Sequence, residues 1–329
     1  MQAYPGKEGK EMIVEQLKNL ETPKGKIDVV LDTDAYNEID DQFAISYMLR
    51  STEKLNVKAI CAAPFYNNNS TSPEDGMERS YQEILKLLKL ADREDMLPFV
   101  YRGSSTYLKD EKTPVESEAA RKIAEIAQKY TPEKPLYVVE LAAITTVASA
   151  LLLAPEIADR IVVVWLGGHA LSYHDTYEFN MMQDFAAARV VFESKTPLVQ
   201  LPCMGVVSEF RLSKPELEYW FIGKNALSTY LAEHSIEAAE AYAKGKPWTR
   251  VIWDVTAVAW LLNDDDRFMR GRIINRHVPD YDGQYQYGTT SNMMNYIYVI
   301  NRDALMEDLI AKITGTTFID SGKTHGWHA

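Results

Sequence analysis

The stretch "VVLDTDAYNEIDDQFAISYML", Val29 to Leu49, passes from an apolar strand pattern through a run of acids into an apolar helix pattern. Asp32, Asp34, Glu38, Asp40 and Asp41 place five carboxylates within ten residues at the end of what reads as a buried strand. Like charges repel, and a carboxylate taken out of water costs several kcal/mol unless something compensates it. A strand that ends in acids and runs directly into a helix reads as a βα turn of an open α/β sheet, where sites form at the carboxyl ends of strands.

Outward from this stretch, short apolar runs alternate with amphipathic ones. "VKAICAAP", "PFVY", "LYVVEL", "RIVVVWLGG" and "TPLVQLP" read as strands. "GMERSYQEILKLLKL", "SEAARKIAEIAQKY", "TTVASALLLAP" and "DFAAARVVFES" read as helices between them. Strands without polar alternation are buried on both faces, as in parallel sheets covered by helices. The repeated βα order predicts a doubly wound α/β fold with a mostly parallel central sheet through about residue 205. Beyond it, "SKPELEYWFIG", "NALSTYLAEHSIEAAEAYAKG" and "VIWDVTAVAWLL" read as helices, and "HVPDYDGQYQYGTTSNMMNYIYVINRD" as polar-aromatic loop with short strands. No linker, repeat or low-complexity stretch interrupts the chain. The expectation is a single domain over 1–329, with its core at 27–262 and a C-terminal helical and lid-like region at 206–329.

The 329 residues carry a formal net charge of -12, with 46% hydrophobic and 25% charged residues. No Lys/Arg cluster supplies the basic face of a nucleic-acid binder, and an acidic surface disfavours anionic membranes. No apolar run approaches the roughly twenty residues of a membrane span. The N-terminal "MQAYPGKEGKEMIVEQLKNL" has no signal-peptide apolar core. These features predict a soluble, cytoplasmic protein. Cys61 and Cys203 lie in apolar runs and read as small core residues.

Aspartate is a common helix N-cap, and the helix dipole favours acids in the first turn, which explains one or two of the aspartates but not the set. Three or more oxygens converging on one strand end suit a hard divalent cation. An EF-hand loop starting at Asp32 would need Gly and Glu where Asn37 and Phe43 stand, so that reading fails. An aspartate-nucleophile, magnesium-dependent phosphohydrolase also starts with Asp-x-Asp after a first strand and stays as an alternative.

Asp-x-Asp, a short loop, then Asp-Asp opening a helix resembles the inosine-uridine-type nucleoside hydrolases, whose pattern is Asp-x-Asp-Pro-Gly-x-Asp-Asp. Here the loop "AYNEI" is longer by two and lacks Pro-Gly. "ELAAITTVASALLLAP" is similar to the family's Leu-Gly-Pro-Leu-Thr-Asn-x-Ala segment. "VVWLGGHALSYHDTYEFNMMQDFAAARVVFES" is similar to its Met-Gly-Gly, Glu-Phe-Asn and Asp-Pro-Glu-Ala-Ala motifs, and "WDVTAVAWL" to its His-Asp-x-x-Ala-Val-Ala. The motifs occur in the family's order between about residues 27 and 262.

The resemblance implies calcium (Ca2+) held by Asp34, Asp41, the Thr145 backbone carbonyl and Asp254, and hydrolysis of the N-glycosidic bond of a ribonucleoside. It implies Asp34 as general base and Asp32 as support behind the site, a strand-end turn acid being the plain reading of Asp32. Asp40, Glu178 and Asn180 match residues that hold the ribose hydroxyls. An Asn after the second strand also contacts ribose in the family, and Asn67 in "APFYNNNS" is its counterpart, although solvated turns explain at least two of Asn67, Asn68 and Asn69. Trp253 stands where many members carry His, which implies stacking on the leaving base and favours purines; a core tryptophan is the alternative. His169 and His174, between "LGG" and "EFN", lie where a proton could reach the base, and Tyr281, Tyr285 and Tyr287 where a lid could close. The resemblance further implies a homo-oligomer, dimer or tetramer. A non-catalytic nucleoside or sugar binder on the same fold is the remaining alternative.

Overall fold

The computed structural model describes residues 16–319 and Trp327. Its strands are β1 (Ile27–Thr33), β2 (Leu55–Ala62), β3 (Val100–Arg102), β4 (Leu136–Glu140), β5 (Ile161–Leu166), β6 (Leu198–Leu201), β7 (Arg211–Ser213), β8 (Thr249–Val251), β9 (Met269–Asn275), β10 (Val278–Pro279), β11 (Tyr285–Gln286) and β12 (Met293–Ile300). Its helices are α1 (Asp41–Leu49), α2 (Pro73–Leu90), α3 (Glu118–Ala127), α4 (Thr145–Leu153), α5 (Phe179–Gln183), α6 (Phe185–Glu193), α7 (Lys214–Trp220), α8 (Ala226–Ala243), α9 (Val255–Leu261) and α10 (Arg302–Thr314).

Eight strands form one sheet in the order β3-β2-β1-β4-β5-β6-β12-β9. All pairings are parallel except that of β12 with β9. Val29, Val30 and Leu31 of β1, like the whole of β5, are buried, as β-branched runs without polar alternation require. Helices cover both faces. One core packs α1, α2, α8, α9 and α10 on the sheet through residues such as Phe43, Ile84, Leu231, Val258 and Leu305. The other packs α3, α4 and α6 through Ile123, Val147 and Val191. Helix α1 is buried on every side, so its apolar character runs all round rather than along one stripe. Local signals set the starts of other helices: Ser72 accepts from the Asp75 N–H ahead of Pro73, and Ser117 accepts from the Ala120 N–H.

The expected α/β architecture is present, and the helical run after residue 205 forms α7, α8 and α9. In the last third, β12 falls where short strands were expected, whereas β9 precedes that stretch and was not expected. Strands β9 and β12 enter the central sheet, with β12 seated parallel beside β6. The sheet therefore extends past the expected core boundary at residue 262. Both cysteines are free and buried. Among the described residues, no helix is long and apolar enough to cross a membrane.

Candidate active site

The chain leaves β1 toward β2 on one side, while β4, its other neighbour, leads away to β5 and β6. That reversal opens a crevice at the carboxyl ends of β1 and β4, the place where open α/β sheets bind ligands. A cleft of about 210 Å³ lies there, lined by Asp34, Asp40, Glu178, Asn180, Trp253 and Asp254 among others. Asp34 follows the end of β1. Asp40 and Asp41 begin α1, and Asp254 arrives from the far side at the start of α9.

These four aspartates are 1–4% exposed. Ligand oxygens of Asp40, Asp41 and Asp254 lie within 4.8 Å of one another. Capping does not account for them: neither Asp40 nor Asp254 accepts a hydrogen bond from the helix it precedes. The Asp41 carboxylate accepts from the Thr33 hydroxyl, and Asp40 Oδ2 accepts from the Trp253 N–H at 3.2 Å. Both Asp34 oxygens are buried without a partner.

Burial, then the charges of Asp41 and Asp40, push Asp34 well above the usual carboxylate range. Burial and Asp40 push Asp41 up to about 8, and burial with Asp40 and Asp41 raises Asp254 well above the usual carboxylate range. Asp40 is raised by burial, with Asp254 and then Arg250 opposing. The converging oxygens of Asp40, Asp41 and Asp254, beside the orphaned oxygens of Asp34, fit a divalent cation, which offsets their repulsion and takes carboxylate ligands.

The sugar-side candidates are built into the backbone. Glu178 caps the short helix α5, its Oε1 accepting from Asn180 N and its Oε2 from Gly168 N and Met181 N at 2.9–3.0 Å. Burial raises its pKa while these N–H groups act against the rise. Asn180 donates its amide to the carbonyls of Leu141 and Leu166, joining the ends of β4 and β5, so Oδ1 is the atom it offers the cleft. Thr145 opens α4, and its hydroxyl donates to Asp184 at 2.7 Å. Asp184 caps α6 and also accepts from Leu108 N. Sequence reading passed over Asp184, although "QDFAAA" holds it directly before a helix pattern.

Trp253 lines the cleft half-buried, beside the aspartates. Asn67 does not line it: its amide donates to Asn37, and its Oδ1 accepts from Asn69 N. Asn37 and Glu38 line the cleft instead, supplied by the longer loop after β1. Glu38 pairs with Arg250 at 2.7 Å. Tyr281 and Tyr287 are exposed and stand outside the lining, and Tyr285 is turned inward behind His169. The tyrosines therefore form no lid over the cleft in this structure. Cys203 is a core residue, as read, that also reaches the cleft.

Asp32 is neither in the cleft nor in a turn. It pairs in register with Cys61 of β2 and Glu140 of β4, and Thr146 sits against it. Burial drives both acids up, Asp32 to about 7 and Glu140 well above the usual carboxylate range, and each carboxyl acts on the other. Glu140 also accepts from Ala142 N, in the turn ahead of Thr145.

Comparison with known proteins gives the family and the fold. The family model described as inosine-uridine preferring nucleoside hydrolase matches residues 29–307. The pyrimidine-specific ribonucleoside hydrolase RihA of Escherichia coli is 25% identical over 262 residues, covering 72% of this chain and 80% of that protein. A solved purine-preferring ribonucleoside hydrolase from Gardnerella vaginalis superimposes with a TM-score of 0.69 at 22% identity, over 88% of this chain and 98% of that one. A solved inosine-guanosine nucleoside hydrolase gives a TM-score of 0.69 at 17% identity, over 88% of this chain and 99% of that one. At these identities the solved structures bear on the fold alone.

Proposed function

The chain belongs to the inosine-uridine preferring nucleoside hydrolase family, and on that premise we propose that it hydrolyses the N-glycosidic bond of ribonucleosides with calcium, purines favoured. The observation that carries the reading is the set of buried aspartates, without helix-capping bonds, facing a cleft walled by Trp253. Asp34, Asp41, the Thr145 carbonyl and Asp254 are the proposed metal ligands. A divalent cation held there supplies positive charge that offsets the carboxylates and makes water easier to deprotonate.

The chain's own groups do the rest. Asp34, whose oxygens accept no hydrogen bond from a backbone N–H or a hydroxyl, takes the proton of the attacking water. Asp40, Glu178 and Asn180 hold the ribose hydroxyls. As the bond to the base stretches, the sugar gains oxocarbenium character, and the surrounding carboxylates stabilise that positive charge. Trp253 presents a flat face to the base. Its backbone N–H on Asp40 ties the base wall to the sugar wall. The name of RihA favours pyrimidines as a second reading of base preference. An aspartate nucleophile at Asp32 is disfavoured, because that side chain is sealed against Glu140.

The test is release of free base from a panel of purine and pyrimidine ribonucleosides by the purified protein, with calcium and with EGTA. Calcium-dependent purine release supports the proposal. Pyrimidine release alone keeps the hydrolase and removes the stacking role of Trp253. No release from any nucleoside overturns the reading.

A further inference from the structure

The proposed site has an activated sugar side and a stacking face in Trp253, but no hydrogen-bond donor assigned to the base as it departs. When the glycosidic bond breaks, its electron pair goes to the base ring, whose nitrogens and carbonyl oxygens gain negative charge. A hydrogen-bond donor is needed there. Among the described residues lining the cleft there is no lysine or arginine, and five are acids. His169 is the one histidine among them.

The structure fixes the ring of His169 from several directions. The chain turns at Gly168, with φ +75°, where an added Cβ would meet the Tyr285 hydroxyl at 2.2 Å. Gly168 donates its N–H to Glu178, on the sugar side. The next residue sends its imidazole into the cleft. Its backbone N–H donates to Thr176 Oγ1 at 3.2 Å, and its carbonyl accepts from Tyr285 at 3.3 Å. The ring packs edge-on against Tyr173, with centroids 4.7 Å apart. Nδ1 accepts the Met204 N–H at 3.3 Å, which leaves the ring proton on Nε2. Burial favours the neutral ring, and the neighbouring His174 acts in the same direction, against the opposing effect of Asp175. His174 itself is exposed, pairs with Asp175 and stands outside the lining.

We propose that His169 is the catalytic hydrogen-bond donor to the departing base, acting through Nε2–H as a neutral imidazole; this rests on the nucleoside hydrolase reading above. A neutral imidazole held in one tautomer can stabilise developing negative charge without giving up its proton. In the step, the C1′–N bond breaks and its electron pair stays on the base. Water oxygen bonds to C1′, and the water proton goes to Asp34. The base takes a proton from bulk water, Asp34 returns one, and His169 keeps its own.

The experiment compares a cleaved ribonucleoside with 4-nitrophenyl β-ribofuranoside, whose leaving group departs without a donor. Wild type, His169→Ala and His169→Gln are assayed on both, with circular dichroism and thermal melting as fold controls. His169→Ala should lose about 10²–10³-fold in kcat/KM on the nucleoside. On the nitrophenyl riboside it should stay within about 3-fold of wild type. His169→Gln, which keeps an N–H donor, should recover part of the loss. Equal losses on both substrates, or none on the nucleoside, overturn the assignment. Wild-type cleavage of the nitrophenyl riboside with none of any nucleoside overturns it while the sugar side stands. Wild-type inactivity on both overturns the underlying reading and this assignment with it.

Discussion

Asp32 and Asp34 are two residues apart at the end of one strand, both at 0–1% exposure, yet they belong to different chemistry. Asp32 faces a sealed core with the Glu140 carboxyl against it, and burial raises both. Asp34 faces a cleft and three other aspartates, with the Asp41 carboxyl against its own. Burial raises both pKa values. The difference lies in what each can do about it: a carboxyl pair retains a proton, while a cluster at a cleft can exchange protons for a cation.

The largest effect that would break this contrast is expected at Asp34. Asp34→Asn should lower kcat/KM on ribonucleosides by about 10²–10⁴-fold. The metal-free protein should melt higher than wild type, because one repelling carboxylate is gone. Steady-state assays paired with thermal melts check both arms, and an unchanged rate would remove Asp34 from the chemistry.

The sealed pair should respond in stability first. Glu140→Ala leaves a void and an unpartnered Asp32, and should cost about 3 kcal/mol in urea denaturation. Glu140→Gln keeps a donor toward Asp32 and should cost about 1 kcal/mol or less. Equal costs would mean that no proton is shared. Next comes the base wall: Trp253→Ala should weaken catalysis on purine nucleosides by about 10-fold or more, and Trp253→Phe by less. An equal loss on the nitrophenyl riboside would assign Trp253 to packing instead.

The smallest expected effect sharpens the comparison through pH. Asp32 at about 7 and Asp41 at about 8 stand above their ordinary 3.8, so the folded protein binds more protons than the unfolded chain between about pH 4 and 8. Stability contributed by these protonated groups is therefore full at low pH. It is lost as pH rises through the folded values. Metal-free melting temperatures should fall across this window. Calcium should restore the cluster's share, increasingly as pH rises, and leave the share of the Asp32–Glu140 pair untouched. A pH profile that calcium does not alter would argue against the cation site.

Much of this protein was legible in its residues. Apolar β-branched runs between amphipathic runs specify buried parallel strands and covering helices, because each element must hide its apolar side. The run from Asp32 to Asp41 marks the first βα turn, and the Trp253-Asp254 and Glu178-Asn180 pairs lie in motifs whose order alone suggested one site. The tertiary structure decided the rest. Strands β9 and β12 join the sheet through pairings far apart in sequence, which local patterns do not carry. Asn67 stands outside the cleft, bonded to Asn37, which lines it from the longer loop after β1. Nothing in "LYVVEL" singles out Glu140, which gains its meaning only where β1 brings Asp32 beside it. His169 and His174 were equivalent by composition until Gly168 turned one ring inward and left the other in solvent. Sequence by itself determined which segments are strand, helix and acid-rich turn, since those depend on neighbours along the chain. Which acids repel, which lie sealed against each other and which face a ligand depends on distance and burial in space, and only the folded sheet sets those.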